Sequence, residues 1–574
     1  MRPPPLLPAL TLAVFAFCSG AKAADFSAAN PYIVPTDKEP IAPGKFQPTW
    51  ESLKQYQVPE WFRDAKFGIW AHWGPQCEAE DGDWYARNMY MEGSRQYKDH
   101  LTTYGPPSKT GFKDIIHQWK AENWDPEKLV ALYKRAGAQY FFALANHHDN
   151  FDLWDSAYQP WNSVKIGPQK DLIGGWAKAA RDNGLPFGVS LHGDRAWSWY
   201  EPAQGRDKTG PFAGIPYDGT LKASDGAGQW WDGLDPQDLY AQNHTPGKGL
   251  VWDWDAGKGS SIPDAAYIEK FYNRTIDLIN KYHPDLIYFD DTIMPLWPFS
   301  DAGLKIAAHF YNSNAALHNG RVEGVMFGKG LSDDQRQCIT LDIERGRSNK
   351  IEPLPWQTDT CIGDWHYQRA LFVNHHYKTA RTVIQTLADI VSKNGNLLLN
   401  IPVRGDGTID SDEVTVVQGI ADWMDVNKES IFGTRPWKVF GEGPASDVVT
   451  SATGAMNFNE MSAKPYTAED IRFTSKGNTL YAIALGVPDK PLSIKSLGKS
   501  AGFAGRIIGI SLLGDKDPVH WMQNDDSLSI DPPKNKPATD YAIAYKITLS
   551  PQSAKSSTDT DTTPYLSYNS HETH

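Results

Sequence analysis

Cysteine is scarce in this chain of 574 residues: it has four, and Cys18 directly follows the N-terminal apolar run. The remaining three, Cys77, Cys338 and Cys361, are odd in number and too few for a disulfide framework. No CxxC pair and no His/Cys spacing marks structural zinc, so the core must hold the fold. Long apolar runs are also missing. Residues 6–17 form a run too short to span a bilayer, and no later stretch is longer and equally apolar. There is no basic run, and the net charge is −13, which argues against nucleic acid as a partner.

What is present begins with a leader. Arg2 supplies positive charge, the apolar run follows, and Ala21-Lys22-Ala23 fits a small-x-small cleavage site. Residues 1–23 are expected to be a signal peptide, and the mature chain to be secreted or periplasmic. Cys18 would suit a lipid anchor, but the bulky Phe17 before it argues against one. Aromatic residues are abundant: 22 Trp, 25 Tyr and 23 Phe. They can fill a large core, or line a groove for the flat apolar faces of sugars.

Residues 24–59 read as a Pro-rich lead-in. From there short apolar runs alternate with helical patterns. Strands are expected at 67–73, 139–145, 186–191, 285–289, 324–327, 337–343, 356–361 and 396–401. Helices are expected at 125–136, 171–183, 264–282, 304–317 and 378–393. In the first of these, Leu129, Val130, Leu132, Tyr133 and Ala136 recur at helical spacing before Gly137. Alternation of this kind implies a parallel sheet, and eight such strands over 60–435 fit an α/β fold, a (β/α)8-type barrel with insertions. Composition changes after about Gly441. Short strand-like segments at 470–473, 479–484, 507–512 and 541–549 suggest an antiparallel β-sandwich over 440–551. The Ser/Thr/Asp-rich tail 552–574 has a disordered composition. Residues 200–258, rich in Gly, Asp, Trp and Pro, read as a long barrel loop where function concentrates.

Barrel enzymes carry reactive groups at the C-terminal ends of their strands. Here those ends read His72-Trp73, Asn146-His147-His148-Asp149, His192-Gly193-Asp194-Arg195, Asp290-Asp291 and Asp342-Ile343-Glu344-Arg345. Two chemistries could use them. Metal hydrolysis would take His147, His148, Asp149 and Asp290 as ligands. Adjacent histidines on a strand face opposite ways, however, and HxH is the spacing that pairs them. Glycoside hydrolysis needs two carboxyl groups, one ionised beside the anomeric carbon and one holding a proton. Asp290 and Glu344 come from different strand ends and can face each other across the mouth.

Six ordered segments carry a resemblance: "WFRDAKFGIWAHWGP", "DWYARNMY", "NHHDNFDLWDS", "PDLIYFDD", "WQTDTCIGDWHY" and "LADIVSKNGNLLLNIPVRGDGTI". Together they resemble glycoside hydrolase family 29, the α-L-fucosidases, over about Trp61 to Gly433. "AEDIRFTSKGNTLYAIALG" is similar to that family's β-sandwich. The resemblance implies a retaining mechanism through a covalent fucosyl-enzyme, without metal or organic cofactor. Its substrate would be a fucosylated oligosaccharide, glycoconjugate or polysaccharide. Tyr288-Phe289-Asp290 matches the nucleophile motif, which makes Asp290 the nucleophile, with Asp291 as runner-up, and Tyr288 a pocket residue. The binding residues carried over are His72, Trp84, His147 and His148.

This chain departs from the pattern at two places. Asp83 stands where the family motif usually has glutamate, and His192 in "GVSLHGDRAW" where many relatives have tyrosines. Asp83 and His192 are retained as sugar-binding candidates, and Trp197 and Trp199 as extensions of the groove. Trp73 either lines the pocket or lies in the barrel wall. For the acid/base, Glu344 fits the placement, with Glu352 and Asp342 also in range; the bland alternative pairs Glu344 with Arg345 or Arg347. An α-L-galactosidase, or a binding protein without catalysis, would share much of this set.

Overall fold

The computed structural model describes residues 26–254, 258–290, 293–446, 459–460, 464–502 and 506–550. The expected leader and tail, and Asp291, lie outside the described residues. β1 (Phe67–Ala71), β2 (Tyr140–Asn146), β3 (Phe187–Leu191), β4 (Leu286–Phe289), β5 (Val325–Gly328), β6 (Thr340–Asp342), β7 (Trp356–Cys361) and β8 (Gly395–Asn400) form a closed barrel in chain order. All neighbours are parallel, and β1 closes on β8 with Ile69 opposite Leu399. Each of the eight expected strands is present: four keep the expected length, three are one or two residues shorter, and the expected 337–343 shrinks to Thr340–Asp342.

The expected helices form for local reasons. Pro126–Arg135, Leu172–Asp182 and Ala265–Tyr282 each begin at an aspartate, Asp125, Asp171 or Asp264, whose side chain accepts from a first-turn N–H. Ala302–Leu317 and Ala380–Ser392 complete the set. The connections after β5 and β6 are irregular. The first carries only a 3₁₀ turn, Gln335–Gln337, and the second, from Ile343 to Pro355, has no helix. The insertion after β3 is a series of short helical turns between Gly193 and Leu250.

Strand alternation sorts the core into an interior and a helix-facing layer. Trp70, Tyr140, Phe142, Leu286, Tyr288, Val325, Phe327, Cys361 and Leu398 pack together inside the barrel, with Phe62 among them. The intervening residues, such as Ile69, Phe141, Ile287 and Leu399, pack with the helices. Aromatic bulk inside the barrel is matched by glycine. A Cβ at Gly68 would overlap the Tyr140 ring, and one at Gly188 the Phe142 ring.

β9 (Arg435–Glu442), β10 (Ile471–Lys476), β11 (Thr479–Ala484), β13 (Ile507–Leu512) and β16 (Ile543–Leu549) form an antiparallel sheet in the order β13-β16-β11-β10-β9. β12 (Leu492–Ile494), β14 (Trp521–Gln523) and β15 (Leu528–Ile530) form a second, ordered β12-β15-β14. The two sheets share one apolar core. The sheet starts at Arg435, earlier than the expected 440. "RPWKVFGE" is an edge strand with a proline, half-buried, and only Trp437 and Val439 face the core. The sheet meets the barrel through Asp389 of Ala380–Ser392, whose Oδ1 accepts from Arg472 Nε at 2.6 Å. No helix among the described residues is long and apolar enough to cross a membrane.

The glycine–aromatic fit yields an expectation. Gly68→Ala should destabilise the protein by about 1–3 kcal/mol through overpacking. Thermal or denaturant unfolding checks it, and an unchanged midpoint would contradict the packing described.

Candidate active site

In five strands the inward alternation continues past the end, and there the side chains turn polar. Gly68 and Trp70 are followed by His72, Gly188 and Ser190 by His192, Leu286 and Tyr288 by Asp290. Val325 and Phe327 are followed by Lys329, and Asp342 by Glu344. These residues meet at the barrel mouth. Lys329 Nζ makes ion pairs with both Asp290 and Glu344. His192 Nε2 lies 2.5 Å from Asp290 Oδ2. Burial opposes ionisation of Asp290, but the Lys329 ammonium and His192 prevail and hold its carboxyl well below the usual carboxylate range. Glu344 is raised above its ordinary value, first by burial and further by the Asp290 charge, against the pull of Lys329. Burial would lower Lys329, yet the carboxylates hold it well above the ordinary lysine range. Ordinary ammonium–carboxylate contacts are about 2.7–2.9 Å. Sharing one ammonium therefore keeps the two carboxyl groups under about 6 Å apart, short of the roughly 6.5–9.5 Å of inverting pairs.

A second acidic pair lies beneath. Tyr288 Oη contacts Asp342 Oδ1 at 3.1 Å and Asp359 Oδ2 at 3.0 Å, and Gln357 Nε2 donates to Asp342 Oδ2 at 2.9 Å. Burial, then mutual repulsion, raises Asp359 well above the usual range, while burial pushes Asp342 up to about 7. One phenolic proton cannot serve both carboxyls, so an acid proton shared by the pair fits the geometry. Tyr288 and Asp342 thus belong to the barrel interior, which corrects Tyr288 as a pocket residue and removes Asp342 from the acid/base candidates. Glu352 is removed as well: Arg336 Nη2 donates to its Oε2 at 2.9 Å and Ser348 Oγ to its Oε1 at 2.7 Å. The alternative pairing of Glu344 with its neighbours also fails, since Arg345 pairs with Glu460 and Arg347 bonds Tyr466.

Histidines line the other side. His72, His147 and His148 are buried, and burial, reinforced by their cationic-capable neighbours, lowers each well below the ordinary histidine range. They are neutral at pH 7. Hydrogen bonds assign the tautomers. Gln76 Oε1 accepts from Ala86 N at 3.2 Å, so its Nε2 faces Asp149 Oδ2 at 3.2 Å and His147 Nδ1 at 2.8 Å. His147 Nδ1 is therefore the acceptor and Nε2 carries the proton. His148 Nδ1 donates to the His192 carbonyl at 3.0 Å. His366 Nδ1 donates to Asp83 Oδ1 at 2.6 Å. Among the described residues, both ring nitrogens of His72, Nε2 of His366 and Nδ1 of His192 are buried and bond nothing in the chain. His147 and His148 share the rim, contrary to the alternation expected, because β2 stops at Asn146 and the chain turns there.

Trp84 sits with φ 61°, which costs a bulky residue about 1–3 kcal/mol. Its ring is held edge-on by Trp199 at 5.8 Å, Trp252 at 5.0 Å and His148 at 6.0 Å. Trp199 is buried behind these rings, while Trp197 stacks on His244 at 4.0 Å inside the insertion and does not extend the groove. Trp73 has the opposite parity to His72. It is buried against Trp119, Trp124 and Trp176, with Nε1 donating to Arg404 O at 2.8 Å. It lies in the wall, which corrects its place in the pocket.

His72, Asp83, His147 and His366 present donor atoms within 4.8 Å of one another, a set that could in principle hold a metal ion. The tautomers do not fit that use. His147 Nε2 carries a proton, and His366 Nδ1 is spent on Asp83, so these groups are arranged as hydrogen-bond donors and acceptors. Lys329, Asp359, His366 and Trp365, whose ring lies 5.8 Å from His72, were not singled out from sequence. Parity alone could have found Lys329, two residues past Phe327.

Comparison with known proteins agrees with this geometry. The family model described as α-L-fucosidase matches residues 33–429. The human tissue α-L-fucosidase is 24% identical over 529 residues, covering 88% of this chain and 92% of that protein. A putative α-L-fucosidase of Caenorhabditis elegans is 24% identical, covering 82% and 86%. The crystal structure of Thermotoga maritima α-fucosidase in complex with a mechanism-based inhibitor has a TM-score of 0.64 at 25% identity, covering 88% of this chain and 100% of that one. With a family match over most of its length and a barrel mouth that gathers the carboxyl pair, the chain belongs to the α-L-fucosidase family.

Proposed function

We propose that the protein is a retaining exo-α-L-fucosidase, with Asp290 as nucleophile and Glu344 as acid/base, acting on terminal α-L-fucosyl residues of glycans. The observation that carries this reading is the Lys329 ammonium held between the two carboxyls. Lys329 keeps Asp290 ionised, while burial and the Asp290 charge push Glu344 toward its protonated form, the division of labour the reaction needs.

In the first displacement an Asp290 oxygen attacks the anomeric carbon while Glu344 gives its proton to the departing glycosidic oxygen. Asp290 is then an ester and carries no charge. The repulsion that raised Glu344 is gone while Lys329 remains, so Glu344 becomes a stable carboxylate. It takes a proton from water, whose oxygen attacks the same carbon and releases Asp290. His192 holds the second oxygen of Asp290 and positions it for attack.

His72, His147, His148 and Asp83 supply hydroxyl contacts, and Trp84 an apolar face. His366 joins them: its Nε2 lone pair accepts from a hydroxyl that itself accepts from His147 Nε2–H. The leader features of residues 1–23 support export to a secreted or periplasmic location.

With an aryl α-L-fucoside, Asp290→Gly should lose roughly 10⁴-fold or more in kcat. Glu344→Ala should lose about 10²–10⁴-fold and regain turnover with azide. Undiminished activity of Asp290→Gly, or azide rescue of Glu352→Ala in its place, would sink the assignment. Removing the ammonium raises the Asp290 pKa, so Lys329→Met should move the acid limb of kcat/KM to higher pH. An unmoved limb contradicts the role given to Lys329. His366→Ala should raise KM roughly threefold to tenfold. The loss should not add to that of the deoxy-fucoside lacking the contacted hydroxyl; full additivity with every deoxy analogue excludes the contact.

A further inference from the structure

Outside the mouth, the barrel and the sandwich enclose a cavity of about 40 Å³ lined by Arg347, Asp389, Lys393, Lys464, Tyr466 and Arg472, among others. Arg347 comes from the β6–β7 connection, three residues beyond Glu344. Lys393 follows the helix Ala380–Ser392, and Arg472 comes from β10. Lys393 and Arg472 are buried. Among the described residues, Asp389 is the only carboxylate lining the cavity, and both its oxygens are engaged: Oδ2 by Lys393 Nζ at 2.7 Å and Oδ1 by Arg472 Nε at 2.6 Å. Asp470 also acts on Arg472, but its carboxylate accepts from Ala445 N at 2.7 Å and Thr467 N at 2.8 Å.

The charge around the cavity does not balance. Among the described residues, four cations, of which Lys464 is exposed, face one carboxylate. Aromatic faces offset part of this, with Arg347 and Arg472 over Tyr466 at 5.3 and 5.2 Å and Lys393 over Phe440 at 4.7 Å. Arg347 uses Nη1 on Tyr466 Oη at 2.5 Å, while its Nε is buried and bonds nothing among the described residues. A buried guanidinium N–H without an acceptor is costly, and the cations around it favour an anion as the acceptor that meets it. A void of this size exceeds the ~10–15 Å³ needed for one water and is small for any organic acid.

We propose that this cavity binds one small inorganic anion, a halide or a tetrahedral oxyanion, which ties the segment carrying Glu344 to the sandwich. Lys393 and Arg472 hold Asp389 between the two domains, and the anion completes the set from the Arg347 side.

The test uses the full chain at constant ionic strength, with gluconate, too large for the cavity, replaced stepwise by chloride or by inorganic phosphate. Binding should raise the unfolding midpoint saturably, by about 2 °C or more. Arg347→Gln should abolish the rise. Should that variant fold poorly, Lys464→Ala, at an exposed position, should weaken the anion's apparent affinity. Crystals soaked in bromide should show an anomalous peak between Arg347, Lys393 and Arg472. Chloride against phosphate decides which anion class is held. Water alone in the cavity, or the same anion response in wild type and Arg347→Gln, would overturn the proposal.

Discussion

One ammonium, that of Lys329, touches both Asp290 and Glu344 at the barrel mouth, and the electrostatics of the site follow from it. Two carboxyl groups this close and this buried cannot both ionise without a cation between them. With Lys329 present, Asp290 carries the charge and Glu344 is left nearer to its protonated form. The layer below is arranged to spare Lys329 further demand. Asp342 and Asp359 are raised by burial, share a proton with help from Tyr288 and Gln357, and so do not compete fully for the same cation. The barrel interior beneath is aromatic and apolar, which keeps these interactions strong.

The histidine wall obeys a complementary constraint. Three of its rings have one nitrogen fixed by the protein: His147 by Gln76, His148 by the His192 carbonyl, His366 by Asp83. A neutral imidazole so fixed is a donor at one end and an acceptor at the other, the pairing that a sugar hydroxyl requires. Asp83 is shorter than the glutamate usual at its place, and here it reaches His366. Trp84, held in an uncommon backbone conformation by Trp199 and Trp252, closes the side formed by the insertion.

Much of this was legible in sequence because burial leaves a strong signature. The first five barrel strands are largely apolar runs, and the helices announce themselves through Asp125, Asp171 and Asp264 at their first turns. The strand ends His72, His192, Asp290 and Glu344 stood out because each places a polar side chain directly after an apolar run. Lys329 did not, since Phe327-Gly328-Lys329-Gly330 reads as a strand running into a solvent loop. His366 was a lone histidine whose meaning depends on Asp83, far away in sequence. Trp73 was undecided, although the alternation from Gly68 through Trp70 to His72 sends it outward. Glu352 and Asp342 competed with Glu344 because sequence distance does not report which partner a carboxylate finds. β9 was missed because a half-buried edge strand with a proline carries little apolar pattern.

The central claim is that Asp290, kept ionised by Lys329, forms the covalent bond to the sugar. Incubation with 2-deoxy-2-fluoro-α-L-fucosyl fluoride, followed by proteolysis and mass spectrometry, tests it most directly. The account expects one fluorofucosyl adduct per chain, mapped to Asp290. An adduct on Asp291 or Glu344, or turnover of this reagent with no covalent adduct at all, would contradict it.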